Sequence, residues 1–90
     1  MVRVIWLPEA LAEIDLIRAY IGQFDPDAAD RLSGRLIAAG ESLAHFPNRG
    51  RASTGGRREI VTVPPYLLRY AVVNDTVYIV EIRHSAREPQ

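Results

Sequence analysis

The sequence predicts an α+β domain in the order β-α-α-β-β-β, with an antiparallel helical hairpin packed on a mainly antiparallel sheet. Two observations support this fold class. Residues 8–45 contain two stretches with apolar residues at every third or fourth position, which is typical of amphipathic helices. Residues 57–83 contain three stretches rich in β-branched and aromatic residues, bounded by proline, asparagine and aspartate. Since the helices precede three consecutive strands, we expect both helices on one face of the sheet.

The first strand is predicted over Val2–Leu7, which is rich in β-branched and aromatic residues. Pro8 ends this strand and opens the first helix, because proline is favoured at the first helical position. Acidic Glu9, Glu13 and Asp15 follow, where the helix dipole favours negative charge. The apolar stripe of this helix consists of Ala10, Ile14, Ile17, Ile21 and Phe24.

The second helix is predicted to start at Asp25-Pro26, since aspartate can cap a helix and proline suits its first turn. Its apolar stripe consists of Ala29, Leu32, Leu36, Ala39 and Leu43. Gly34 and Gly40 weaken the helix, but small residues also allow the two helices to approach closely. The helix is expected to end near His45-Phe46, before a loop over residues 47–57.

Three strands complete the predicted domain, over residues 57–63, Tyr66–Val73 and Thr76–Arg83. Pro64-Pro65 separates the first two of these strands, and Asn74-Asp75 forms the turn of a hairpin between the last two.

The register of this hairpin depends on which residues are buried. A two-residue turn would pair Val73 with Thr76 and place Arg69 and Glu81 among apolar neighbours. A longer loop would pair Val73 with Val77 and place Arg69 opposite Glu81 on the charged face. The second register separates charge from core, so we expect it. Its apolar face would consist of Tyr66, Leu68, Tyr70, Val72, Tyr78, Val80 and Ile82.

The composition indicates one globular domain over residues 1–90. Hydrophobic residues make up 48% of the chain and charged residues 24%, which is ordinary for a folded domain. Cysteine is absent, which excludes disulfides, thiolate catalysis and sulfur-ligated zinc. No apolar run has the length of a membrane-spanning helix, and no signal peptide is apparent. We therefore expect a cytoplasmic protein that does not associate with membranes.

All eleven basic residues are arginine, and their distribution is uneven. Residues 1–45 contain four arginines and seven acidic residues, for a net charge of −3. Residues 46–90 contain seven arginines and four acidic residues, for a net charge of +3. Because guanidinium groups suit bidentate contacts with phosphate or carboxylate, the second half is expected to meet an anionic or acidic partner.

The residues that could carry chemistry lie in the second half of the chain. Four arginines lie in or beside the loop over residues 47–57, two more lie at the end of the last strand, and His84 stands between those two. The six arginines are Arg49, Arg51, Arg57, Arg58, Arg83 and Arg87. They form either an anion-recognising patch or a solvated edge paired with Glu59 and Glu88. Two histidines are too few for a metal site without carboxylates, and we expect neither a metal nor a cofactor.

The chain resembles the RelE/ParE superfamily of bacterial type II toxins, and its ParE branch in particular. The resemblance rests on an ordered set of segments that spans nearly the whole chain. They are VRVIWLPEALAEIDLIRAYI, PDAADRL, PNRGR, Arg58, the strand that begins YLLRY, and the closing IRHSAR. The family fold, a helical hairpin against an antiparallel sheet, agrees with the fold that periodicity predicts independently.

The resemblance implies a toxin that is neutralised by the antitoxin of an adjacent gene. RelE-like members cut mRNA on the ribosome with lysines, two arginines and a C-terminal tyrosine. Of these, this sequence keeps only Arg87, after the last strand, while Leu67 stands at the third-strand arginine position. RNA cleavage needs acid–base groups and cations, so these departures favour the ParE branch, which inhibits DNA gyrase.

We therefore expect a ParE-like gyrase inhibitor that works in plasmid stabilisation and assembles with its antitoxin into a hetero-oligomer. No direct sequence-specific DNA binding by this chain is expected. The target-binding residues are expected to be Arg51, Arg57, Arg58, His84 and Arg87. The first alternative is a ribonuclease with His84 as acid–base group, and Arg51, Arg58 and Arg87 holding phosphate. The second is a non-toxic binding module that keeps only the antitoxin partnership.

Overall fold

The structure is a computed structural model that describes residues 1–85, apart from the side chain of Thr62. It contains two α-helices and five strands in the predicted α+β class. The elements are β1 (Arg3–Trp6), α1 (Pro8–Gly22), α2 (Pro26–Glu41), β2 (Arg51–Ala52), β3 (Arg58–Val63), β4 (Tyr66–Val73) and β5 (Thr76–His84). Among the described residues, neither helix is long and apolar enough to cross a bilayer.

The strands form one sheet in the order β1-β5-β4-β3-β2. The first strand pairs parallel to the last one, with Val4 opposite Val77, and all other pairs are antiparallel. The two-residue strand β2 pairs with Arg58 and Glu59 at the opposite edge. The sequence pattern predicted a loop at β2, because two residues are too few to establish an alternating pattern.

The helical hairpin covers one face of the sheet. As predicted, Asp25 caps α2, and its carboxylate accepts a hydrogen bond from the Ala28 amide at 3.1 Å. The buried core contains Ala10, Ile14, Leu36, Leu43, Ile60, Val63, Leu68, Tyr70, Val77, Ile79 and Ile82. The expectation that Phe24 belongs to the apolar stripe of the first helix was wrong. Phe24 lies beyond the last residue of α1, Gly22, and is 73% exposed.

Gly40 lets α2 approach the sheet, whereas the glycines of this helix were expected to bring the two helices together. A Cβ atom on Gly40 would lie 2.4 Å from the indole ring of Trp6, on β1, and nothing lies within 4 Å of the corresponding point on Gly34. The Trp6 indole also donates a hydrogen bond to Glu41 at 2.8 Å. The close contact therefore joins the end of α2 to the first strand.

The β4–β5 hairpin combines features of both registers considered above. Its turn has two residues, and Asn74 and Asp75 both adopt positive φ, at 49° and 61°. These angles belong to a type I′ turn, whose twist matches that of the paired strands. Val73 therefore faces Thr76, and the expected pairing with Val77 was wrong.

A bulge at Val80 then shifts the register by one residue, because Tyr70 faces Ile79 while Arg69 faces Glu81. The expected Arg69–Glu81 pair is thus confirmed. The expected apolar face of β5 is only partly correct, since Val77, Ile79 and Ile82 are buried while Tyr78 and Val80 are half-buried.

Candidate functional site

The predicted arginine cluster begins at the loop that leads into β3. Arg58 is half-buried, and its guanidinium donates hydrogen bonds to the carbonyl oxygens of Gly50 at 2.7 Å and Asn48 at 3.4 Å. The Tyr70 hydroxyl accepts a hydrogen bond from the Gly50 amide at 2.9 Å and donates one to the Pro47 carbonyl at 2.8 Å. Arg58 and Tyr70 therefore hold this loop against the sheet, which gives Arg58 a structural role.

The described members of the cluster do not come together. Arg58 faces Tyr70 on β4, whereas His84 faces Tyr66, which lies about 13 Å further along that strand. Arg57 is exposed, and the side chain of Arg51 is 73% exposed. The sequence left open whether the sheet brings this loop near the end of the last strand, and for Arg51, Arg57 and Arg58 it does not. Arg87, the fifth predicted residue, lies outside the described residues.

Five charged side chains instead form a row across the face of the sheet that is turned away from the helices. We call this row the charge ladder, and it consists of Arg51, Glu59, Arg69, Glu81 and Arg83. Arg69 lies at its centre, bonding Glu59 at 2.5 Å and Glu81 at 2.8 Å. Glu59 also accepts from Arg51 at 3.3 Å, and Arg83 lies 3.3 Å from Glu81. Opposite charges therefore alternate across four strands.

The ladder keeps a buried carboxylate ionised. Glu59 is only 8% exposed, yet the hydrogen bond from Arg69 lowers the pKa of its carboxyl, with further help from Ser53 and Arg51. The side chain of Arg69 is 15% exposed, so most of this pairing takes place away from water. The ladder is therefore a network in which each carboxylate is held by at least two cationic groups.

A groove opens on the opposite face, beneath α1. It exists because β1 pairs only with Thr76–Ile79, and the last five residues of β5 extend beyond it. The Leu7 amide donates to the Ile79 carbonyl, and the chain then turns into α1. The resulting space of about 680 Å³ is lined by Glu13, Leu16 and Tyr20 from α1 and by Tyr66, Arg83 and His84 from the sheet.

The groove contains polar groups that are poorly satisfied. Glu13 accepts a hydrogen bond from the Ile82 amide at 3.4 Å, and burial raises the pKa of its carboxyl. Among residues 1–85, no hydrogen-bond partner faces the buried Nδ1 atom of His84. The His84 imidazole meets the Tyr66 ring edge to face, with centroids 5.3 Å apart. The structure therefore places the predicted residue His84 in a concave site.

Sequence reasoning missed Glu13, Tyr20 and Tyr66 as members of this site. Their proximity depends on the parallel pairing of β1 with β5, which leaves no local pattern in the sequence. One signal was available, because Leu16 and Tyr20 lie beside the predicted apolar stripe, and Phe24, which was assigned to that stripe, follows them at the same interval of four. These three side chains are 69%, 61% and 73% exposed, and they form an apolar rim beside the groove.

Comparison with known proteins identifies the family. Residues 4–89 match the family model described as "ParE toxin of type II toxin-antitoxin system, parDE". The chain belongs to the ParE toxin family. The expected resemblance to the RelE/ParE superfamily is therefore confirmed. A type II toxin of this family is paired with an antitoxin. The family model and a solved structure carry the ParE and ParDE designations, whereas a similar curated relative is named RelE.

Two curated relatives and one solved structure illustrate this. The chain is 53% identical to "Toxin RelE2" of Caulobacter vibrioides, over 97% of this chain and 99% of that protein. It is 36% identical to "Putative toxin Y4kP" of Sinorhizobium fredii, over 96% of this chain and 91% of that protein. A structure titled "Chromosomal ParDE TA system from P. aeruginosa" shares the fold with a TM-score of 0.81, at 20% identity over 93% of this chain and 96% of that one.

Proposed function

We propose that this ParE-family toxin inhibits DNA gyrase by binding to it, and that its cognate antitoxin neutralises it in a cytoplasmic hetero-oligomer that serves plasmid stabilisation. The observation that carries this proposal is the pairing of Arg69 with both Glu59 and Glu81 on the outer face of the sheet. A ribonuclease would need cations free to neutralise the charge that develops at phosphorus. On this face each described carboxylate is instead shared between arginines.

The separation of the predicted residues supports the same proposal. His84, the candidate acid–base group, lies in the groove beneath α1, whereas Arg51 and Arg58 lie at the other end of β3. General acid–base catalysis requires its groups within hydrogen-bonding reach of one substrate. A protein target needs no such convergence, because separate patches of a surface can contact one partner.

Within this proposal, Arg51 and Arg57 contact gyrase directly, since both are exposed at the β2–β3 end of the sheet. Arg58 acts through the loop that it braces. His84 and Arg87 remain proposed target-binding residues at the other end of the sheet.

The test begins with expression of the toxin without its antitoxin, followed by assays on purified proteins. We expect growth arrest with a DNA-damage response, and inhibition of gyrase supercoiling by the toxin. Alanine at both Arg51 and Arg57 should weaken inhibition by about tenfold or more, because charge-assisted contacts can each contribute a few kcal/mol. The matched control replaces Arg31 and Arg35, which are exposed on α2, and should leave inhibition unchanged.

Two other outcomes would contradict gyrase inhibition and support one of the alternative functions. Rapid loss of translation with cut mRNA, together with unimpaired supercoiling, would establish the ribonuclease in place of the gyrase inhibitor. Absence of any growth phenotype, with antitoxin binding intact, would identify a non-toxic binding module.

A further inference from the structure

The groove beneath α1 is built from groups that attract a cation. Glu13 brings a carboxylate, and its bond to the Ile82 amide is long, at 3.4 Å. The Nδ1 atom of His84 can accept a hydrogen bond when the imidazole proton is on Nε2. Tyr20 and Tyr66 line the groove, and aromatic rings also attract ammonium and guanidinium groups.

The arginines around the groove compensate Glu13 only in part. Arg83 lines the groove and its charge lowers the pKa of Glu13, but its guanidinium lies 3.3 Å from Glu81 in the charge ladder, and burial outweighs its effect. On α1, Arg18 is bound to Asp30 at 2.6 Å. Burial also raises the pKa of Glu13, so an incoming cation would relieve a carboxylate that is costly to ionise.

The surroundings of the groove favour a protein segment over a small molecule. Leu16, Tyr20 and Phe24 extend along α1 beyond the groove, and each is at least 61% exposed. The Tyr20 and Phe24 rings contact each other with centroids 5.6 Å apart, so the rim is a continuous apolar strip. Exposed apolar patches beside polar groups mark protein-interaction sites, and an amphipathic segment fits such a strip.

We infer that this groove receives the side chain of a lysine or arginine from the antitoxin, whose neighbouring apolar residues pack along Leu16, Tyr20 and Phe24. The cation lies between Glu13 and the two tyrosine rings, and its stem contacts Leu16. The inference rests on the antitoxin partnership of the family and is independent of gyrase as the target. It makes the groove a specificity pocket, because an antitoxin with a neutral or acidic residue at that position would leave Glu13 buried without a counter-charge.

Antitoxin affinity, measured by calorimetry on the purified full-length proteins, tests this inference. Glu13→Gln should weaken binding by about tenfold or more, since it removes the charged partner of a desolvated contact. Glu9→Gln removes the same charge from an exposed position of the same helix, and it should change affinity by less than about twofold. Thermal melts of both variants verify that they fold.

A second measurement locates the cation. Each lysine and arginine of the antitoxin is changed to glutamine in turn and measured against wild-type and Glu13→Gln toxin. One such residue should lose its effect in the Glu13→Gln background, because the two side chains then no longer interact. As a probe without an antitoxin, N-acetyl-arginine amide should shift the NMR signals of Tyr66 and His84, whereas N-acetyl-norleucine amide should not.

The inference would be overturned if Glu13→Gln and Glu9→Gln bound antitoxin equally well, or if no cationic antitoxin residue coupled to Glu13. It would also be overturned if Glu13→Gln abolished gyrase inhibition while antitoxin affinity stayed unchanged, since the groove would then serve the target. Failure of the wild-type toxin to inhibit gyrase would instead contradict the proposed target, and the antitoxin affinities would stand unaffected.

Discussion

The charge ladder and the groove beneath α1 each contain a glutamate close to an arginine, yet the pKa values of the two carboxyls are shifted in opposite directions. Glu59 is held by Arg69, Arg51 and Ser53, and the pKa of its carboxyl is lowered. Glu13 has the long bond to the Ile82 amide, and burial raises the pKa of its carboxyl. One environment supplies enough hydrogen bonds to compensate for burial, and the other does not.

The charges at the centre of the ladder stabilise the fold, whereas the carboxylate of Glu13 in the groove is only weakly stabilised by the rest of the chain. At the centre of the ladder, Arg69, Glu59 and Glu81 satisfy each other, so these three charges stabilise the pairing of β3, β4 and β5, while the outer Arg51 remains 73% exposed. In the groove, burial raises the pKa of Glu13 more than the Ile82 amide and the charge of Arg83 lower it. A functional site can therefore be recognised by the hydrogen bonds it lacks, and an arginine-rich surface can be largely structural.

The largest expected effect follows from breaking the centre of the ladder. Arg69→Ala leaves Glu59 and Glu81 without their shared cation, and it should lower the free energy of unfolding by about 3 kcal/mol, because Glu59 is buried. Arg18→Ala also removes an ion pair, but the side chains of Arg18 and Asp30 are 57% and 62% exposed, so the free energy of unfolding should fall by only about 0–1 kcal/mol. Urea unfolding of both variants gives the comparison. Equal losses would show that burial does not distinguish the two pairs.

The second effect is a pH dependence of opposite sign at the two glutamates. Because the folded-state pKa of Glu59 is lowered, its stabilisation is present above the unfolded-state pKa and is lost as pH falls through the folded-state pKa. The folded-state pKa of Glu13 is raised, so its contribution is present below the unfolded-state pKa and is lost as pH rises through the folded-state pKa.

NMR titration of the two side-chain carboxyls measures this directly. The midpoint of Glu13 should lie above about 4.3, the ordinary value for glutamate, and that of Glu59 below it. Midpoints in the reverse order would mean that the groove satisfies its carboxylate better than the ladder does.

The smallest expected effect is a gain. Glu13→Gln removes a carboxylate that burial disfavours and keeps an oxygen to accept from the Ile82 amide, so it should leave stability at neutral pH unchanged or raise it by up to about 1 kcal/mol. Glu81→Gln, made in the ladder, should lower stability because it weakens the bond to Arg69. Differential scanning calorimetry at neutral pH compares the two. If both variants were destabilised to the same degree, the groove and the ladder would not differ in how well they stabilise a carboxylate.

The sequence predicted those parts of the molecule that depend on local periodicity. The two helices, the capping Asp25 and the three C-terminal strands were all predicted, because their signals lie within a few neighbouring residues. The Arg69–Glu81 pair was also predicted, although through a longer loop. In the structure the turn is one residue shorter than expected, and the bulge at Val80 adds one residue back, so Arg69 still faces Glu81. A pattern of buried residues cannot distinguish this arrangement from a longer loop without a bulge.

The candidate site was predicted only in part, because it depends on contacts between distant segments. His84 was singled out, but Glu13 and Tyr66 come together with it only through the placement of α1 along β5. The loop arginines were correctly found as a sequence cluster, yet Arg58 turns toward backbone carbonyls while Arg51 turns toward Glu59. Spacing along the chain carries no information about these directions.

The parallel pairing of β1 with β5 also sets the order in which the protein can be completed during synthesis. Arg3 faces Thr76, so the strand made first finds its partner only when the strand made last has emerged. Contacts between such distant positions slow folding, because a long loop must close before they form. The sheet, and with it the groove beneath α1, therefore matures only at the end of translation. Any contact that needs the completed groove, including the proposed antitoxin contact, can therefore form only after β5 has emerged.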